Sequence, residues 1–257
     1  MNRTVLLAAA LLAASAGAAS AADMAEGWPT IVPADREGPV EFGSAWYMRG
    51  DIGIALYADP DIGYSGGAMA ATASGGELDK TWTAGVGIGT RFGKWFRTDV
   101  TFDYHMATDY SAGGTSACGG AGTSCAISTT ADFSTYTLLI NGYVDLPVSD
   151  LVTPYLGVGV GGSFVDWNDY AEVHRCTAGC AITERYALST DDRWRFAYAA
   201  MAGVSFDVAP NLKVDAGYRF LGIGKGDIVD AVAGVPVAEY DKLYSHELRV
   251  GLRYEIE

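Results

Sequence analysis

The residues that could carry chemistry are few. His174-x-Cys176-x-x-x-Cys180 has the look of half a metal site, and Cys118 and Cys125 lie in another segment. Zinc needs four ligands at matched spacing, so the even cysteine set of an exported chain reads instead as disulfides. Local pairs Cys118–Cys125 and Cys176–Cys180 are expected, with the two cross-loop pairings left open. Tyr244-Ser245-His246-Glu247 offers a nucleophile, a base and an acid side by side. On a strand, Ser245 and Glu247 project to one face and His246 to the other, so the three cannot relay a proton among themselves. Gly85-x-Gly87-x-Gly89 and Gly157-x-Gly159-x-Gly161-Gly162 resemble phosphate loops only on paper. A dinucleotide site needs a glycine turn opening a helix, and these glycines fall inside strands, where they leave room for bulky neighbours. Asp59, Asp61, Asp109, Asp169, Asp191, Asp192, Asp227 and Asp241 are spread over the long links. Carboxylates there either hold hard cations or keep a rim solvated. No catalytic residue, metal or cofactor is expected.

The elements that position these residues are strands. Leu248, Val250, Leu252, Tyr254 and Ile256 alternate with Glu247, Arg249, Gly251, Arg253 and Glu255, which separates an oily face from a polar one at period two. The pattern recurs in seven earlier segments, around Trp46–Leu56, Thr81–Arg91, Phe96–Met106, Thr135–Asp145, Leu156–Phe164, Arg193–Asp207 and Leu212–Phe220. The links between them alternate strictly. Residues 58–79, 107–131, 167–192 and 223–242 are long, and those near Gly93-Lys94, Pro147–Val152 and Ala209-Pro210-Asn211 are short. An antiparallel meander then gathers all long links at one rim. This predicts an all-β fold, an eight-stranded antiparallel transmembrane β-barrel with long extracellular loops and short periplasmic turns.

Eight strands enclose an interior just wide enough for side chains to fill. Nine bases point inward (Arg49, Arg91, Arg97, Arg193, Arg195, Lys213, Arg219, Arg249, Arg253), as do eight acids (Asp51, Asp99, Asp103, Asp145, Asp207, Asp215, Glu247, Glu255). Arg49, Asp51, Arg97, Asp99, Asp103, Arg195, Asp215, Arg219, Glu247, Arg249 and Arg253 are expected to form a nearly neutral lumen network, because unpaired buried ions are costly. Trp46, Trp82, Trp95, Tyr155, Trp167 and Trp194 are expected at strand ends, in the headgroup region.

Compartment follows from the N-terminus. A basic Asn2-Arg3, an apolar run from Val5 to Ala14 and Ala19-Ser20-Ala21 read as a signal peptide over 1–21. Residues 22–44, with Pro29, Pro33 and Pro39, read as a flexible periplasmic lead-in, and 45–257 as the barrel. A net charge of −14 argues against nucleic acid as a partner.

Trp95-Phe96-Arg97-Thr98-Asp99-Val100-Thr101, Asn141-Gly142-Tyr143-Val144-Asp145-Leu146 and Thr153-Pro154-Tyr155-Leu156-Gly157-Val158-Gly159 resemble the small surface-antigen barrels of alphaproteobacterial outer membranes. These belong with the opacity-type and OmpA-like proteins. The resemblance covers about residues 44 to 257 and implies outer-membrane localisation in a Gram-negative bacterium, with outer-membrane lipid and lipopolysaccharide as surroundings. It implies a structural or surface-interaction role, with a narrow passive pore as the alternative and an extracellular ligand undefined. Arg249, Gly251, Tyr254 and Ile256 look like the signal read by the barrel-assembly machinery. The chain departs from that signal in its last residue, Glu257, where such proteins often finish on Phe.

Overall fold

The computed structural model describes residues 45–58, 62–65, 72–116, 122–179, 183–187, 193–227 and 237–256. The signal peptide, the lead-in, Cys118, Cys180, Asp59, Asp61, Asp191 and Asp192 lie outside them. The described strands are β1 (Ala45–Tyr57), β2 (Ile62–Ser65), β3 (Thr72–Leu78), β4 (Thr81–Phe92), β5 (Phe96–Ser116), β6 (Ser124–Asp145), β7 (Val152–Ala178), β8 (Thr183–Ala187), β9 (Arg193–Ala209), β10 (Leu212–Ile223), β11 (Gly226–Asp227), β12 (Val237–Tyr240) and β13 (Leu243–Ile256).

Eight of these close a ring. In chain order β1, β4, β5, β6, β7, β9, β10 and β13 each pair antiparallel with the next, and β13 returns to β1. Ile52 sits between Val250 of β13 and Ala84 of β4 at the closing seam. Closure leaves the ring without an open edge, as a sheet in lipid requires. The faces divide as the alternation predicts. Ile52, Ile140, Val158 and Leu248 are 62%, 62%, 67% and 67% exposed on the outer wall, while Asp103 and Glu247 are fully buried inside.

Two features differ from the sequence expectation. First, the links at 107–131 and 167–192 are largely strand, because β5, β6 and β7 run for 21, 22 and 27 residues where a membrane crossing takes about 9–11. Their upper halves stay hydrogen-bonded beyond the ring, with β3 added beside β5 and β8 beside β7. Register shifts between His105 and Thr108, and between Thr130 and Asp132, mark bulges that bend such a ribbon. Small Ala, Gly, Ser and Thr residues hid the upper parts of β5 and β6, since the ribbon needs no lipid-facing stripe. The first and fourth long links meet instead through a small antiparallel sheet of β2, β12 and β11. Second, Tyr155 and Trp167 are not girdle residues. Both point inward, 7% and 0% exposed, whereas Trp46, Trp82, Trp95 and Trp194 are more than half exposed on the outer wall.

Candidate functional site: the filled lumen and the outer ribbon

The lumen is built in layers from the inward residue of each strand. Near the short-turn end, Arg91 meets Glu255 at 3.1 Å and Lys213 pairs with Asp207. Arg253 reaches Asp215 at 3.2 Å and Ser205 at 2.8 Å. Arg97 donates through Nε to Asp145 at 3.0 Å. Its guanidinium lies against the rings of Tyr143 and Tyr155, 4.1 and 4.6 Å from their centroids, which gives a buried cation an electrostatic partner on its flat faces.

At mid-height Arg49 bridges Asp51 at 2.7 Å and Asp99 at 3.2 Å, and Asn141 donates to Asp99 at 2.7 Å. One layer up, Asp103 receives both Arg219, at 2.7 Å, and Arg249, while Arg219 also holds Glu247 at 2.8 Å. Ser245 donates to Glu247 at 3.1 Å, and His105 stands between Glu247, at 3.5 Å, and the Tyr57 hydroxyl, at 2.5 Å. The inward glycines make this density attainable. A Cβ on Gly85 would run into the Asp103 carboxylate and, at 2.8 Å, into Arg249. The cavity left among Arg49, Asp51, Tyr143, Asp215, Arg219 and Arg249 has about 20 Å³ of room for water, which is of order one molecule.

Above His105 the lining turns apolar. Tyr110, Phe133, Trp167, Tyr170, Leu221, Ile223, Tyr240 and Leu243 pack into one cluster. The Trp167 ring meets Phe133 at 4.7 Å and, edge to face, Tyr110 at 5.6 Å. Among the described residues, this cluster fills the outer end of the lumen.

The outer membrane protein beta-barrel domain family matches residues 5–255. The chain belongs to this family. An uncharacterized protein of Brucella abortus is 31% identical, with 95% of each chain covered. A Rickettsia bellii protein named "Putative adhesin" is 25% identical over 82% of this chain and 88% of its own. The solved structure of OprG from Pseudomonas aeruginosa is similar at 13% identity, over 83% of this chain and 96% of that one, with a TM-score of 0.48. This is an outer-membrane protein of a Gram-negative bacterium, so the ribbon end is extracellular and the short turns periplasmic.

Within this outer-membrane barrel, Arg49, Asp51, Asp99, Asp103, Arg219, Glu247 and Arg249 are linked by ion pairs and hydrogen bonds, with Arg97, Asp215 and Arg253 nearer the short turns. Arg195 lies higher, where a Cβ on Gly226 would meet its Nε at 2.5 Å beside the Tyr240 hydroxyl. Arg193, counted as inward, is exposed at the rim. Of the residues that resemble an assembly signal, Arg249 belongs to the network, Gly251 makes space for Asp51, and Tyr254 and Ile256 face outward. Ser245 and Glu247 lie inside the wall and His246 outside. Cys125 and Cys176 are both disulfide-bonded and are register partners across β6 and β7. The expected pairs involve Cys118 and Cys180 and so fall outside the described residues. Asp109 is the register partner of Asp132. Partial burial, then the carboxylates of Asp109 and Asp169, raise the Asp132 carboxyl above its ordinary value. Among the described residues, no group of three or more acids, histidines or cysteines is arranged to hold a metal.

The aromatic plug and the tyrosines around Arg97 are the functional residues that sequence reasoning missed. Parity was the available signal. Tyr47 shares a face with Arg49 and Asp51, Tyr155 with Gly157 and Gly159, and Trp167 with Ser163.

Proposed function

We propose that this barrel is a closed, non-conducting and non-catalytic wall element of the outer membrane, which presents the ribbon of β5, β6, β7 and β8 for contact with surfaces outside the cell, as an adhesin or surface antigen. The observation that carries the reading is a lumen filled by paired ions and capped by aromatic rings, beneath strands that rise well past a membrane's thickness. The likeness to the Rickettsia protein named as an adhesin supports the adhesive part. On this reading Arg249, Gly251, Tyr254 and Ile256 are what the assembly machinery recognises. The experiment is a double truncation at the level of the Asp109–Asp132 and Asp132–Asn168 pairs, with residues 110–131 and residues 169–192 each replaced by an Asn-Gly turn. The truncated barrel should still assemble, shown by heat-modifiable gel mobility, while binding of cells to host cells or matrix falls to the level of a deletion strain. Undiminished binding with the ribbon gone would refute the proposal.

A further inference from the structure

Between the two aromatic girdles, the outward face of the barrel carries one imidazole and no charged side chain among the described residues. That residue is His246. Along β13, Tyr254 and Tyr244 are ten residues apart, about one membrane crossing, so His246 lies just inside the outer boundary and Lys242 just beyond it. A polar, ionisable group facing lipid is costly and usually marks a site.

The surroundings of His246 form a built surface. The Tyr218 hydroxyl is 2.6 Å from its Nδ1; with that hydroxyl donating, Nε2–H is left to donate outward. Its ring packs on Tyr218 and Phe220, with centroids 6.0 and 5.5 Å away. Phe220 stacks in turn on Tyr244 at 5.5 Å. Tyr198 reaches Tyr244 across Gly222, where a Cβ would collide with the Tyr198 ring. Lys242 is exposed just before β13 begins, with its charge within reach of Tyr198. Tyr244 and His246 share one outward face of β13 at two-residue spacing, so an ammonium, a hydroxyl and an imidazole N–H are gathered where the apolar wall begins. Beneath them Leu248, Val250 and Leu252 are exposed and apolar.

We propose that the β10–β13 outer wall, with Lys242 and His246 as its donors, binds a phosphate group of an outer-leaflet glycolipid whose acyl chains lie along Leu248 and Val250. The occupant follows from the surface. Donors of positive or hydrogen-bonding character at headgroup depth suit an anionic oxygen, and the apolar wall below suits acyl chains. The inference rests on outer-membrane location and the barrel wall, and stands whether or not the ribbon is adhesive.

The test is native mass spectrometry of the full-length purified barrel titrated with bis-phosphorylated lipid A, with its dephosphorylated form and with inorganic phosphate as comparison probes. Wild type should retain the phosphorylated lipid about tenfold more strongly than either the dephosphorylated lipid or a Lys242→Gln/His246→Leu double variant, as expected for the loss of a charge-assisted contact, and inorganic phosphate should not be retained. Lys242→Gln alone, outside the apolar band, should give a partial loss and covers the case in which the double variant does not fold. Equal retention of both lipid forms, equal retention by Lys242→Gln and wild type, or a wild-type dimer that the variants lose would each overturn the proposal.

Discussion

Asp103 is the carboxylate on which the upper network depends, so Asp103→Asn perturbs it most directly. The side chain is fully buried and takes hydrogen bonds from two guanidiniums, Arg219 at 2.7 Å and Arg249. The next carboxylates available are Glu247, already shared with Arg219 and 3.5 Å from Arg249, and Asp51, 3.8 Å from Arg249. Amide replacement keeps the volume but leaves two buried cations facing one well-placed anion. Breaking a buried pair by removing one partner costs about 3–5 kcal/mol. We expect a loss of this size in denaturant unfolding of the barrel refolded into lipid vesicles, followed by tryptophan fluorescence. Adding Arg249→Met should recover part of it, since one unpaired charge is removed with its partner, giving a coupling of about 1–3 kcal/mol. A loss below about 1 kcal/mol for Asp103→Asn, or strict additivity in the double variant, would refute the view that the lumen is a coupled ion network.

Further expectations test other parts of the account. Leu252→Arg, on the lipid-facing side of β13, should cost about 2–4 kcal/mol in the same assay; unchanged stability would mean that Leu252 does not face lipid. Trp167→Ala should destabilise by about 3–5 kcal/mol, whereas a girdle residue at that position would cost far less. Because the folded Asp132 carboxyl is raised, protonation favours the ribbon. Amide protection there should be fullest below about pH 4 and decline as pH rises through the folded value, a dependence that Asp132→Asn should abolish.

The ring was legible because lipid outside and ions inside impose opposite demands on alternate residues, and no soluble core would set Arg97, Asp99 and Asp103 against Phe96, Val100 and Phe102 on one strand. What the alternation could not reveal is where the polar lumen ends. Phe133 and Trp167 obey the same parity as Thr137 and Ser163 but lie above the membrane, where apolar residues turn inward because water is outside. Reading tryptophan and tyrosine as girdle residues also overrode parity at Tyr155 and Trp167, although four other tryptophans do lie on the outer wall. The ribbon was missed for a third reason. Its stability comes from backbone pairing and from burial on one face by Ala112, Ala131 and Ala171, a pattern too weak to separate from an irregular loop. Alternation puts His246 on the face opposite Ser245 and Glu247, but its meaning depends on neighbours, Tyr218 and Phe220, that adjacency in sequence does not supply.

On the proposed function the lumen is closed, by ion pairs along its length and by the aromatic cluster at its outer end. Single-channel recording of the refolded barrel in planar bilayers should then show silence from wild type across ordinary voltages and salt concentrations. Reproducible, stable conductance steps from wild type, altered by replacing Arg97 or Arg249, would contradict it and identify the barrel as a narrow pore.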